Sequence, residues 1–103
     1  MNTFATLGVK KPFIQSIKEL GINSPSEIQE KAIPILLGSS TDFVGLAQTG
    51  TGKTAAFGLP IVQQVETSKK YPQALILSPT RELCVQIAKD LMAYSKYVDG
   101  LKV

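Results

Sequence analysis

Apolar residues along the chain recur in two distinct patterns. In the first, they fall three and four apart, as one face of a helix requires. Phe13, Ile14, Ile17 and Leu20 follow this spacing, with Pro12 suited to a first helical turn and Gly21 to a stop. Ser24-Pro25-Ser26-Glu27 reads as a capping box, with Ser24 as cap, Pro25 at the first position and Glu27 reaching back. The helix behind it directs Ile28, Ala32, Ile33, Leu36 and Leu37 inward, with a kink expected at Pro34 and an end at Gly38. A third helix is expected from Thr54 to Val65, weakened by Gly58 and Pro60. A fourth, capped by Thr80, runs from Arg81 to about Tyr97, with Leu83, Ile87, Leu91 and Tyr94 as its buried stripe and Cys84 and Ala88 beside it. Phe4 and Leu7 precede the first helix in a short segment that closes at Gly8.

The second pattern is the short continuous apolar run, which suits a parallel strand covered on both faces. One such run begins at Phe43; a second is Ala74-Leu75-Ile76-Leu77-Ser78; and Leu101-Lys102-Val103 resembles the first step of a third. Strand, helix and strand span about thirty residues, the length of a βαβ unit. The expected class is therefore α/β, with ligands bound at the carboxyl ends of the strands.

Between the first strand and its helix lies Ala47-Gln48-Thr49-Gly50-Thr51-Gly52-Lys53-Thr54. A run of backbone N–H groups here can curl round an anion, with the helix N-terminus adding positive potential. Lys53 reaches β- and γ-phosphates in such a loop, and the Thr54 hydroxyl ligates Mg²⁺. Ala47 stands where the pattern G-x-x-x-x-G-K-[ST] has its first glycine, which a turn at negative φ tolerates. A Gly/Thr-rich surface loop is the plain alternative; the flanking strand and helix favour the phosphate reading.

Composition narrows the rest. The chain has 103 residues, 44% hydrophobic and 18% charged, which fits one small domain or part of a larger one. A net charge of +3 is too mild to argue for nucleic acid by itself. Cys84 is the single cysteine and histidine is absent, so an intrachain disulfide, a zinc cluster and a Cys-His nucleophile are excluded. No long apolar run marks a membrane segment or a leader, and a cytoplasmic location is expected.

Three separated stretches together resemble the DEAD-box family of ATP-dependent RNA helicases. Gly21-Ile22-Asn23-Ser24-Pro25-Ser26-Glu27-Ile28-Gln29, with Phe4 seventeen residues before Gly21, is similar to the adenine-reading Q motif. Ala47 to Thr54 is similar to motif I, in which the family itself carries Ala first, and Pro79-Thr80-Arg81-Glu82-Leu83 to motif Ia. The resemblance implies an incomplete RecA-like P-loop NTPase domain in three layers, with two full parallel strands and the start of a third. It implies an adenine-recognition region over 2–30 and a partial ATP-binding domain over 31–103. ATP and Mg²⁺ are the implied cofactors and RNA the implied partner, held by its backbone without regard to sequence.

By the same resemblance Gln29 contacts the adenine edge and Phe4 packs on its face. An amide offers a donor beside an acceptor, matching N6 and N7. Gln29 reads equally as a capping partner of Ser26, and Phe4 as a core residue. Pro79, Thr80 and Arg81 fall on the implied RNA edge, where a hydroxyl and the chain's only arginine suit phosphate. Ile22 replaces a frequent Phe, Ser26 a frequent Thr, and the link Gly38 to Asp42 is longer than the family's. No apolar strand ends in Asp-Glu, so turnover by these residues alone is not expected. A bare sheet edge makes self-association or poor solubility the expectation for the 103 residues by themselves. A generic P-loop NTPase or kinase, and a non-catalytic binding module, are the other readings.

Overall fold

The computed structural model describes residues 2–38, 41–47 and 52–103. Helix α1, Lys11–Glu19, starts with proline in its first turn, where the missing N–H costs nothing. It ends in a Schellman arrangement: the Ile22 N–H bonds the Ile17 carbonyl at 3.0 Å and the Gly21 N–H bonds that of Lys18 at 3.0 Å. Gly21 takes φ +87°, which only glycine adopts freely there.

Helix α2, Glu27–Gly38, begins two residues later than the Ser24 cap implies. The Glu30 N–H makes the first helical bond to the Ser26 carbonyl, and the Ser26 N–H bonds Gln29 Oε1 at 2.9 Å. The reach-back is therefore made by the glutamine three residues after Ser26, not by Glu27. The helix continues through Pro34, burying Gln29, Ala32 and Ile33.

Helix α3, Lys53–Gln64, is the centre of the molecule, packing on α2 at one flank and on α4, Arg81–Tyr94, at another. Gly58 is buried at the crossing, where a Cβ would stand 2.7 Å from Leu91 Cδ2 and 3.3 Å from Tyr94 Cε2. The glycine expected to weaken α3 is the point at which the two helices approach. Helix α1 packs on α4, and the buried Ser16 hydroxyl lies 2.7 Å from the Tyr94 carbonyl and 2.8 Å from that of Phe13. One core results, with Phe4, Leu7 and Val9 joining Phe13, Ile17, Ile33, Leu59, Val62, Ile87, Leu91 and Tyr94. Each large apolar side chain so buried contributes about 1.5–3 kcal/mol.

The parallel sheet does not form among the described residues. Residues 43–47, 74–78 and 101–103 carry no ladder hydrogen bonds. Val44, Leu46, Leu75 and Leu77 are 83–91% exposed. The apolar runs signal burial on both faces, but burial requires neighbouring strands and a covering layer, and no described residues supply them. The same lack of cover exposes Leu83 and Cys84 on the first turn of α4, contrary to the stripe expected. A cavity of about 550 Å³ lies beneath this uncovered stretch, bounded by Val65, Ile76, Cys84, Ile87 and Leu101.

Candidate nucleotide-binding site

The expected phosphate loop meets α3 at Gly52, which precedes the helix with φ +83°. Its carbonyl accepts two bonds, from the Ala56 N–H at 3.2 Å and from Gln29 Nε2 at 3.1 Å. A Cβ on Gly52 would collide with Gln29 Nε2, so glycine here serves both the left-handed backbone and the close approach of the amide.

Gln29 is 3% exposed and joins two elements distant in sequence, with Oε1 on the Ser26 N–H and Nε2 on the Gly52 carbonyl. Each end of the amide retains capacity: one hydrogen on nitrogen and one lone pair on oxygen. The Ser26 hydroxyl beside it is buried with no hydrogen-bond partner among the described residues, an orphan that a ligand can satisfy. Lys53 and Thr54 form the first turn of α3, Lys53 exposed and Thr54 half-buried, and Ala47 is half-buried before the loop. Gln48, Thr49, Gly50 and Thr51 lie outside the described residues. Among the described residues no group of His, Cys, Asp or Glu could hold a metal by itself. A cation at Thr54 therefore fits a hydroxyl-plus-phosphate donor set better than a protein cage.

Phe4 is 3% exposed inside the core, fixed by the Val9 N–H bond to its carbonyl at 3.0 Å. Pro79, Thr80 and Arg81 are exposed at the start of α4. Thr80 caps that helix, its Oγ1 accepting from the Leu83 N–H at 3.1 Å, and Glu82 occupies the first turn, favoured by the helix dipole. No hydrogen bond among the described residues links this edge to Gln29 or Gly52.

Two residues absent from the sequence reading support the site. Gln63 bonds the Lys10 N–H and the Gly8 carbonyl, and Gln64 donates to the Leu36 carbonyl at 2.8 Å. Side-chain amides on a helix carry no sequence signal of such pairing. Ser16 did carry one, as a polar residue between Phe13 and Ile17 on an apolar face.

A family model described as DEAD/DEAH box helicase matches residues 26–103, and the chain belongs to that family. It is 48% identical over 101 residues to the ATP-dependent RNA helicase DeaD of Escherichia coli strain K12, covering 98% of this chain and 16% of that protein. The DeaD of Mycobacterium tuberculosis is 46% identical over 101 residues, with 18% of its length covered. Among solved structures, S. cerevisiae Dbp5 bound to RNA and ADP BeF3 superposes with a TM-score of 0.89 at 34% identity, over 95% of this chain and 25% of that one. A DEAD box protein from the hyperthermophile Methanococcus jannaschii gives a TM-score of 0.83 at 35% identity, over 89% of this chain and 25% of that one. The chain thus spans about a sixth of the length of the DeaD relatives, and its structural neighbours are RecA-like helicase domains.

Proposed function

We propose that these residues supply the nucleotide pocket and part of the RNA edge of an ATP-dependent RNA helicase. The observation that carries this reading is the Gln29 amide on the Gly52 carbonyl, which puts a base-reading group at the end of the phosphate loop. Residues 2–30 would hold the base and residues 31–103 the phosphates. Gln29 would offer its spare hydrogen and lone pair to adenine N7 and N6, with the buried Phe4 as a wall of the base pocket. The amides of Gln48, Thr49, Gly50, Thr51 and Gly52, following the turn at Ala47, would wrap the phosphates. Lys53 would neutralise their charge and Thr54 would hold Mg²⁺, which supplies further charge neutralisation when bound. Pro79, Thr80 and Arg81 would take RNA phosphate without reading sequence.

In the whole protein, the apolar runs from Phe43 and Ala74, and the start at Leu101, would be strands of a three-layer parallel sheet. A cytoplasmic location is consistent with the single cysteine. The relatives named as helicases, and the RNA and nucleotide analogue in the Dbp5 structure, support this reading.

Competition against a fluorescent ATP analogue, in the full-length protein, tests it. ATP should outcompete GTP, and Gln29→Ala should remove that preference while largely sparing phosphate affinity. Lys53→Ala should weaken both nucleotides roughly tenfold or more, since a charge-assisted hydrogen bond contributes about 1.5–3 kcal/mol. Equal binding of ATP and GTP by the unmutated protein would instead indicate a generic phosphate loop.

A further inference from the structure

We propose that Gln63 is a positioning residue for base recognition, an inference that rests on the adenine reading above. Gln63 lies near the carboxyl end of α3, the helix that Lys53 and Thr54 begin. Its amide spans two main-chain groups of the N-terminal segment. Oε1 accepts from the Lys10 N–H at 2.8 Å, and Nε2 donates to the Gly8 carbonyl at 2.9 Å. The side chain thus pairs with Gly8–Lys10 much as a neighbouring strand would.

Buried Phe4, Leu7 and Val9 seat that segment in the core beside Leu59 and Val62 of α3, and the Gln63 amide fixes its main chain at Gly8 and Lys10. Lys10 precedes α1 with no side-chain cap, and Gly8 turns the chain at φ +103°. The turn is closed on itself, with the Gly8 N–H on the Ala5 carbonyl at 3.1 Å and the Val9 N–H on the Phe4 carbonyl at 3.0 Å. The turn is therefore closed within itself, and Gln63 ties its main chain to α3 by two hydrogen bonds. At the opposite end of the same helix, Gln29 fixes Gly52. Helix α3 becomes a ruler, with the phosphate groups at one end and the clamp on the Phe4 turn near the other. A nucleotide has a fixed reach from base to phosphate, so groups reading the base must keep a fixed offset from those holding phosphate.

The neighbouring residue provides an internal control. Gln64 makes a single bond of similar length, to Leu36 of α2, and does not touch the 8–10 segment. Gln63→Leu removes both bonds to that segment. Gln63→Glu keeps the acceptor for Lys10 but sets a carboxylate against the Gly8 carbonyl.

The experiment is nucleotide competition in the full-length protein, ATP and GTP each displacing a fluorescent ATP analogue. Gln63→Leu is expected to reduce the ATP-over-GTP preference about tenfold, equivalent to about 1.4 kcal/mol, while GTP affinity stays within about twofold. Gln63→Glu should fall between, and Gln64→Ala should retain the preference. Full preference in Gln63→Leu, an equal fall for both nucleotides, or an equal loss in Gln64→Ala would each overturn the proposal. Should Gln63→Leu fail to fold, Gln63→Glu decides alone: a reduced preference supports the assignment and an unchanged one overturns it. An unmutated protein with no ATP preference overturns the adenine reading and this inference with it. A preference lost in Gln29→Ala but kept in Gln63→Leu overturns this inference only.

Discussion

Gln29 shows how a single side chain can join two elements and still keep hydrogen-bonding capacity to spare. Its bonds to the Ser26 N–H and to the Gly52 carbonyl are made by the protein itself and fix the orientation of the amide. A fixed orientation lowers the ordering cost of binding. Tyr94 is a second residue whose surroundings have a measurable outcome. Burial, helped by the Asp90 carboxylate, pushes its phenol from the ordinary 10.0 up to about 12. The native state therefore favours the neutral ring, and the associated stability is complete below pH 10 and lost as pH rises toward 12. Thermal melting across that alkaline window should show a steep loss in the unmutated protein and a shallower one in Tyr94→Phe. Parallel losses would show that the ring is not held neutral.

At the level of helices, much was legible in the sequence because local signals and packing agree. Pro12, Gly21 and Thr80 mark ends that the structure keeps, since each acts through its own backbone. The start of α2 differs from the Ser24 cap because Ser24 and Ser26 both satisfy the capping pattern, and the Ser26–Gln29 pairing that the sequence also offers is the one formed. Gly58 was read as a weakness because helix propensity says nothing of the helix that will lie across it. Gly58→Ala should destabilise by about 1–3 kcal/mol through overpacking against Leu91 and Tyr94, read as a fall in denaturant midpoint with an unchanged slope. An unchanged midpoint would mean that α3 and α4 are not in close contact there. The support from Gln63 and Gln64 was not legible, because contacts between elements far apart in sequence leave no periodic trace.

For the molecule as a whole, the pattern of apolar runs indicated strands, yet a strand depends on its neighbours. Leu75 and Leu77 stand 84% and 83% exposed, as do Val44 and Leu46 at 85% and 91%. An apolar, unpaired edge of this kind favours association. Residues 1–103 alone should self-associate in sedimentation velocity, and Leu75→Lys with Leu77→Lys should increase the monomer fraction. A concentration-independent monomer before mutation would show that these side chains find cover within the chain. The start of α3 is the reverse case: its signal lies in consecutive residues, and the helix begins at Lys53, one residue before the start expected at Thr54.

The buried Ser16 hydroxyl on the Tyr94 carbonyl has a mechanical consequence. It pins α1 to α4 near the end of α4 farthest from Thr80 and Arg81, and the Glu19 contacts with Lys96 and Tyr97 brace the same junction from outside. Sliding α4 lengthwise would break all three links at once, whereas tilting it about that junction would strain them least. The exposed first turn of α4, with Thr80 and Arg81, thus lies at the end away from the links to α1.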